Sequence, residues 1–305
     1  MTTPPIVPCI WFDDQAEAAA EFYVRVFSVG RITDVSRYPE GSESNTGRPA
    51  GSVLTVAFEI FGQRMTGLNG GPMFVLNPSV SFFAEVPDAA EADRLFAALS
   101  DGGKALMPIG AYPWSERYGW VQDRFGVSWQ VMVPMEKLSS PRVVPCLMFS
   151  GKVFARADEA MKTFTGIFPD SRIGTVERYA EGEGAKAAEG TVKHGRFFLG
   201  AQPMVAMDSH VEHGFAFNEA LSFQVMCADQ ADVDRYSAAL SEGGEVGPCG
   251  WLKDRFGVSW QIVPEGMPKW LTGGDAASRK RVFEAMMGMK KLDIQALEEA
   301  FSTPR

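Results

Sequence analysis

Hydrophobic residues recur along the first part of the chain in a pattern that predicts one helix among four strands. Residues 6–12 form an apolar run that suits a strand, and residues 14–27 place Ala, Phe and Val at helical spacing behind an acidic start. Three further strand-like runs follow, at 31–38, 52–60 and 63–68. The order of elements is βαβββ.

The same order returns in the next stretch of the chain. Residues 80–86 predict a strand, and Pro87-Asp88 marks the start of a helix that runs to Leu99 and stops at Gly102-Gly103. Strands are then predicted near Lys104, at 119–122 and at 127–133. A second βαβββ unit therefore follows the first.

Comparison of the chain with itself shows that both units are repeated. The residues from Asp123 to Gln130, Asp-Arg-Phe-Gly-Val-Ser-Trp-Gln, recur letter for letter from Asp254 to Gln261. We expect the aspartate that opens each copy to form the turn by capping its own backbone. Only the first copy has an extra stretch, at 109–117, which predicts an ordered loop or lid.

The repeat divides the chain into a first module at 1–137 and a second at 142–268, followed by a helical segment at 275–301. An apolar stripe marks this last segment, formed by Val282, Phe283, Met286, Met289, Leu292, Leu297 and Phe301. Such a stripe packs on the helix's own module or on a second copy of the chain. A homodimer formed through this helix is our hypothesis beside internal packing.

Charge and cysteine content narrow the classes of function. A formal net charge of -9 and a pI near 5.0 disfavour nucleic acid as a partner, because its binders need clustered Lys and Arg. No run approaches the ~18 apolar residues of a membrane span, and the N-terminus lacks a signal-peptide pattern. We expect no membrane partner and a cytoplasmic location. The cysteines lack CxxC spacing and are expected to be free thiols, at Cys9, Cys146, Cys227 and Cys249.

A doubled βαβββ unit with a D-x-F-G turn before its last strand resembles the vicinal oxygen chelate superfamily of glyoxalase-like proteins. The segment from Tyr118 to Gly126 is similar to the W-G-x-x-x-D-P-F-G region of its PhnB-like branch, also labelled 3-demethylubiquinone-9 3-methyltransferase-like, with Arg124 in place of proline. The segment from Lys290 to Leu297 resembles the closing helix of that branch. The resemblance implies an α+β fold in which each module forms a curved mixed sheet, from its paired units, around a cleft for a small organic molecule.

Metal-dependent members of this superfamily hold a divalent ion with one His, Gln or Glu from each of four strands. The resemblance puts these positions at Val7 and Val144, Met65 and Phe198, Ser81 and Ser222, and Gln130 and Gln261. Only the glutamines could coordinate, so we predict no family-type metal and no other cofactor. A divalent metal held by other ligands is the alternative. Methyl transfer is disfavoured, because no glycine-rich strand-to-helix turn followed by an acidic residue is present.

The predicted cleft is mostly apolar and aromatic. On the last strand of the first module, Ser128, Gln130 and Met132 are expected to face the cleft, while Trp129 and Val131 face the helices. The candidates for ligand binding are Cys9, Trp11, Met65, Ser81, Trp114, Trp120, Gln130, Cys146, Met148, Phe198, Ser222, Trp251 and Gln261. No catalytic residue is assigned, because the first module has no histidine to activate a cysteine.

These patterns favour a protein that binds a small organic molecule in its cleft, either to sequester or sense it or as a metal-free enzyme whose reaction is not specified. One alternative is a metal-dependent lyase, isomerase or dioxygenase. The other is a non-catalytic structural or interaction protein, whose cleft would be filled by its own side chains.

Overall fold

The computed structural model describes residues 2–302, and the order of elements is that of four βαβββ units. The first unit comprises β1 (Ile6–Phe12), α1 (Ala16–Val26), β2 (Gly30–Arg37), the short α2 (Glu43–Thr46), β3 (Val53–Ile60) and β4 (Gln63–Asn69). The second comprises β5 (Val80–Glu85), α3 (Ala89–Ser100), β6 (Lys104–Tyr112), β7 (Ser115–Gln122) and β8 (Ser128–Met132). The sequence-based order of elements in the first module is confirmed.

The second module repeats these elements with shorter strands near its end. Its first unit comprises β9 (Arg142–Phe149), α4 (Ala157–Ile167), β10 (Arg172–Arg178), β11 (Val192–Leu199) and β12 (Gln202–Asp208). Its second comprises β13 (Leu221–Cys227), α5 (Gln230–Ser241), β14 (Glu245–Val246), β15 (Trp251–Lys253) and β16 (Ser259–Pro264). The chain then forms α6 (Met267–Thr272), α7 (Ala276–Met287) and α8 (Ile294–Ser302).

The strands form two eight-stranded mixed sheets, and each sheet takes one unit from each module. Sheet A has the order β14-β15-β16-β13-β1-β4-β3-β2, and sheet B has the order β10-β11-β12-β9-β5-β8-β7-β6. The α+β class with tandem modules and a helical C-terminus is confirmed. The expectation that the units of one module pair within one sheet needs correction, because β1 pairs antiparallel with β13, and β5 with β9.

The short link between the modules gives a physical reason for this exchange. Residues 133–141 connect β8 to β9, and both strands lie in sheet B with only β5 between them. A link of this length reaches a neighbouring position in the same sheet and leaves little slack for a longer crossing. The second module therefore begins in the sheet where the first one ends.

Each module nevertheless keeps its own aromatic core. In the first module the ring of Tyr23 on α1 lies 5.3 Å from that of Trp129 on β8, although α1 belongs to the unit in sheet A and β8 lies in sheet B. In the second module Phe164 lies 5.4 Å from Trp260 in the same way. The modules are thus joined by strand pairing and are packed internally by their helices. We call the face of each sheet that packs on helices α1, α3, α4 and α5 its outer face, and the opposite face its inner face.

The repeated aspartates hold the turns before the last strand of each module. Asp123 Oδ1 accepts the backbone N–H groups of Phe125 and Val127 at 2.9 and 3.0 Å, and its Oδ2 accepts the indole N–H of Trp129 at 2.8 Å. Asp254 repeats all three bonds. The expectation that these aspartates are turn formers is confirmed.

The C-terminal segment forms two helices, α7 and α8, separated by residues 288–293. Its apolar stripe packs on its own chain, around Val7, Met226 and Val263 on the inner face of sheet A. The N–H groups of Cys249 and Gly250 donate to carbonyls of residues 289 and 290 at 2.7 and 2.6 Å. The segment therefore lies on sheet A at the position that the longer β6–β7 hairpin occupies on sheet B. The stripe thus packs within its own chain, on residues of both modules rather than on the second module alone, and the homodimer stays a prediction.

The extra stretch at 109–117 is not a loop. It forms the end of the β6–β7 hairpin, in which Tyr112 pairs with Ser115. None of the helices within residues 2–302 combines the length and apolar character that a membrane crossing needs.

Candidate functional site

Hydrogen-bonded polar side chains cross the inner face at the centre of sheet A. Gln261 Nε2 donates to Ser222 Oγ at 2.8 Å, and Gln224 Nε2 donates to Gln261 Oε1 at 3.3 Å. The hydroxyl of Thr66 donates to Gln224 Oε1 at 2.9 Å, and Cys9 lies opposite Ser222 in the neighbouring strand. The alternation of a β-strand puts all five side chains on one face.

Sheet B carries a related but smaller set at the equivalent place. Gln130 Nε2 donates to Ser81 Oγ at 2.9 Å, and the Tyr118 hydroxyl donates to Gln130 Oε1 at 2.7 Å. The Gln224 position is occupied here by Phe83, and the Thr66 position by Val205, both of which are buried. The polar groups of Gln130 are thus satisfied within the protein, which is a structural role.

The buried thiols beside these networks are poor nucleophiles. Burial raises the pKa of Cys9 to about 12, although Gln261 and Ser222 oppose the shift. Burial raises the pKa of Cys146 to about 12 as well, against the same opposition from Ser81 and Gln130. A thiolate is the reactive form of cysteine, so neither thiol is activated near neutral pH.

Sheet A retains an open cleft next to its polar network. The cleft has a volume of about 550 Å³ and lies between the end of β1, the β14–β15 hairpin and helix α7. Its walls include the rings of Trp11, Phe74, Trp251 and Phe283. We call this space the sheet A cleft.

Trp11 is held at the centre of this cleft by a glycine pair. Its indole N–H donates to the carbonyl of Gly71 at 2.7 Å. The ring lies directly over Gly70, where a Cβ atom would fall closer than 3.0 Å to three of its atoms. Phe74 and Trp251 stand nearly perpendicular to Trp11, with centroids 4.9 and 5.9 Å from it. These contacts fix the orientation of the indole.

Helix α7 closes the opposite side of the sheet A cleft. Phe283 is buried against Tyr38 and Leu54, and its ring centroid lies 6.1 Å from that of Tyr38. Met286 packs beside them. The C-terminal segment therefore contributes a wall of the cleft as well as covering part of the inner face.

The inner face of sheet B is instead filled by its own side chains. The rings of Tyr112, Trp114 and Tyr118 pack together at 5.1 to 5.5 Å at the β6–β7 hairpin. The indole N–H of Trp120 donates to Ser128 Oγ at 2.7 Å. Tyr118 and Phe83 are each 3% exposed, so little of this face is accessible to a ligand.

A buried ion cluster on sheet B disfavours the packing of an apolar helix there. Glu85 on β5 is fully buried and pairs with Arg142 and Arg196. The equivalent residue of sheet A is Met226, which packs against the C-terminal helices. An apolar helix stripe laid over charged groups would desolvate them without replacing their interactions.

Comparison with known proteins identifies the family. The family model described as 3-demethylubiquinone-9 3-methyltransferase matches residues 4–132 and residues 141–263. The chain belongs to this family. Each copy of the family model corresponds to one sequence module, so the sheet exchange joins two family domains.

Two shorter proteins of known structure each match less than half of the chain. The PhnB protein of Bacillus cereus is 31% identical over 44% of this chain and 98% of its own, with a TM-score of 0.38. TioX from Micromonospora sp. ML1 is 21% identical over 42% of this chain and 95% of its own, with a TM-score of 0.29.

Glyoxalase I from Zea mays is 11% identical over 88% of this chain and 98% of its own, with a TM-score of 0.50. At this identity the match to glyoxalase I shows a common fold and says nothing about the activity of this chain. No curated protein sequence matches the chain.

The divalent metal that the resemblance to vicinal oxygen chelate proteins implies can be tested against the side chains present. The inner-face groups around Gln261 are one further amide and two hydroxyls, on Gln224, Ser222 and Thr66, which are already bonded to one another, and a buried thiol, on Cys9, whose pKa is raised by burial. Within residues 2–302, no three His, Cys, Asp or Glu side chains lie close enough to form a metal site. Neutral amide and hydroxyl groups without a carboxylate or imidazole do not match the ligands of a catalytic divalent ion. We therefore derive no chemical step through a metal.

The structure separates the thirteen candidates into groups. Trp11 and Trp251 line the sheet A cleft. Three belong to the polar network of sheet A, namely Cys9, Ser222 and Gln261. Six lie on sheet B and do not contact the sheet A cleft, namely Ser81, Trp114, Trp120, Gln130, Cys146 and Met148. The inward direction of Ser128, Gln130 and Met132 is confirmed.

Two candidates were assigned to a wrong position. Met65 points to the outer face of sheet A, where it is buried in the helix-side core. Phe198 lies on β11 under the guanidinium of Arg172, 3.8 Å from its centroid, with three strands between it and Gln130. The sequence-based prediction treats Met65 and Phe198 as equivalent, but Met65 lies on β4, which corresponds to β12 in the second module, and Phe198 lies on β11. The predicted positions are wrong because both residues lie in hairpins in which apolar residues alternate along both strands, so that several assignments fit the pattern.

Sequence patterns missed several walls of the cleft. Phe74 lies in the connection between β4 and β5 and has no periodic signal, and Tyr38 is the last residue of the run predicted at 31–38, directly after β2. Gln224 could have been found, because it lies two residues after Ser222 on the same strand and must share its face. Phe283 and Met286 were part of the helical stripe, but the stripe does not specify the surface that it covers.

Proposed function

We propose that the protein binds a small, flat organic molecule in the sheet A cleft and acts by sequestering or sensing it. One observation carries the proposal: the sheet A cleft is open and walled by five aromatic rings, whereas the equivalent face of sheet B is filled by its own tyrosines and tryptophans. Apolar clefts of a few hundred Å³ with a few polar groups are the usual form of small-molecule sites.

The same geometry favours binding over catalysis. The thiols near the cleft are held protonated by burial, and the polar network of sheet A is satisfied internally. The indole N–H of Trp11 is also engaged, by Gly71. Flat ligands would therefore be retained by ring contacts and by exclusion of water. We further propose a cytosolic location, since buried free thiols such as Cys9 suit a reducing compartment.

Substitution of single tryptophans tests the proposal. A library of small aromatic compounds is screened by ligand-observed NMR, and the dissociation constant of each hit is measured by calorimetry. We expect Trp251→Leu to weaken binding about tenfold, since a lost ring contact is worth roughly 1.4 kcal/mol. The matched control is Trp114→Leu, which removes a half-exposed indole on sheet B and should leave the affinity unchanged.

The proposal fails if no compound binds, or if the hits bind equally well to Trp251→Leu. Equal losses in both tryptophan variants would mean that binding takes place outside the sheet A cleft. The circular dichroism spectrum and unfolding midpoint of each variant show that a lost affinity is not lost folding.

A further inference from the structure

The charges around the sheet A cleft indicate which class of molecule it takes, given that it binds a ligand as proposed above. Three charged residues line the cleft: Glu219, Glu245 and Lys253. Lys253 Nζ lies 2.8 Å from Glu219 Oε1, so these two neutralise each other. Within the part of the chain that the structure describes, Glu245 has no ion-pair partner. The lining therefore carries one uncompensated negative charge.

The strand register keeps Glu245 next to the aromatic walls. Glu245 is opposite Lys253 in the β14–β15 ladder, and Trp251 lies two residues before Lys253 on the same strand. Residues i and i+2 of a strand share a face, so Trp251 and Lys253 point to the same side. The unpaired carboxylate thus lies in the lining of the cleft, on the same side of the sheet as Trp251.

The rings themselves favour positive charge. Phe74 and Trp251 pack edge to face against Trp11, at 75° and 74°, and all three rings line the cleft. The face of an aromatic ring carries negative electrostatic potential, which attracts cations, and tryptophan is the strongest of the natural rings. A cleft lined by aromatic rings and an unpaired carboxylate is complementary to an organic cation.

The lining of the cleft offers few groups that could bind an anion. The cleft lining contains no arginine, and its single lysine is engaged by Glu219. The Tyr38 hydroxyl donates to the carbonyl of Asn69, and the Trp11 N–H donates to Gly71. An anionic ligand would also approach a chain of net charge -9.

We propose that the ligand of the sheet A cleft is a flat aromatic cation, with a quaternary or protonated nitrogen that lies among the three rings and faces Glu245. Three probes of one shape and different charge test this: N-methylquinolinium, 1-methylnaphthalene and 1-naphthoate. Binding of each is measured by ligand-observed NMR at low and at high salt. We expect the cation to bind about tenfold tighter than the neutral probe, and the anion to bind weakest.

Charge-neutralising variants assign the preference to the cleft. Glu245→Gln should reduce the advantage of the cation over the neutral probe about threefold, whereas Glu116→Gln, an exposed glutamate on sheet B, should leave it unchanged. Both positions are exposed, so neither substitution threatens the fold. The advantage should also shrink at high salt, because the carboxylate lies at an exposed rim.

The outcomes separate this inference from the proposed function. If the neutral probe binds as tightly as the cation, or the anion binds best, the cation class is wrong while the sheet A cleft remains a binding site. An unchanged preference in Glu245→Gln also refutes the role of that carboxylate. If none of the probes and no library compound binds, the proposed function fails as well.

Discussion

A methyl group added at Gly70 should displace the indole at the centre of the sheet A cleft. The Cβ of Gly70→Ala would fall closer than 3.0 Å to three atoms of the Trp11 ring, and ordinary contact begins at 3.4 Å. The backbone of Gly70 does not have a positive φ, so alanine is acceptable there in every other respect. The ring must therefore move by on the order of 1 Å.

The structure allows an estimate of the cost. Movement of the ring breaks the bond from Trp11 Nε1 to Gly71, which contributes about 1 kcal/mol. It also disturbs the ring pairs with Phe74 and Trp251, each worth about 0.5–1.5 kcal/mol. We expect Gly70→Ala to lower the free energy of unfolding by about 2–3 kcal/mol.

Urea denaturation measures this change, and two further variants make it specific. In a Trp11→Ala background the added methyl has space, so Gly70→Ala should cost less than about 0.5 kcal/mol there. Gly166→Ala is the matched control, because Gly166 is in helix α4 with no atom within 4 Å of its added Cβ. That control should stabilise the protein by about 0.5 kcal/mol. Equal costs of Gly70→Ala with and without the Trp11 ring would refute the reasoning.

Two predictions concern the repeated turns. The Tyr23 hydroxyl donates to Asp123 at 2.7 Å, whereas the second module has Phe164 at that place. We expect Tyr23→Phe to destabilise the protein by about 1 kcal/mol and Phe164→Tyr to be neutral or stabilising by urea denaturation, and the reverse order would contradict the equivalence. Burial raises the pKa of Asp254 to about 6, so its protonation favours the folded state, and this contribution, complete below about pH 4, is lost as the pH rises through 6. From pH 7.5 to 5 the wild type should gain about 1.4 kcal/mol relative to Asp254→Asn, and parallel pH profiles of the two proteins would show that the carboxyl group does not titrate there.

The asymmetry of the two sheets follows from few differences between the repeats. The first module has the long β6–β7 hairpin, whose aromatic residues fill the inner face of sheet B. The second has the short β14–β15 hairpin, and the C-terminal segment lies beside it. The space left between that segment and Trp11 is the cleft. The two copies of one module thus produce two different inner faces: that of sheet B is filled, and that of sheet A keeps an open cleft.

The sequence by itself determined the local structure. The alternation of apolar and polar residues located the strands of each unit and the face on which Gln130 lies, because side-chain direction in a strand depends only on position along it. The repeat located the modules, and the aspartate of each D-x-F-G segment indicated a turn that the structure confirms, because its bonds reach only a few residues along the chain. Trp11 and Trp251 were also selected from the sequence.

Only the tertiary structure decided which strands pair and which cleft is open. Alternation does not specify which strand pairs with which, so the pairing of β1 with β13 was not predictable from either strand. The wrong direction predicted for Met65 has the same cause, since a shift of one residue in strand register turns every side chain to the opposite face of the sheet. The stripe on α7 indicated a buried helix but not the surface that it covers. In the structure it packs on sheet A, which has the apolar Met226 at the position where sheet B has the charged Glu85. The sheet A cleft is formed by contacts between residues far apart in the chain, and local sequence patterns do not predict such contacts.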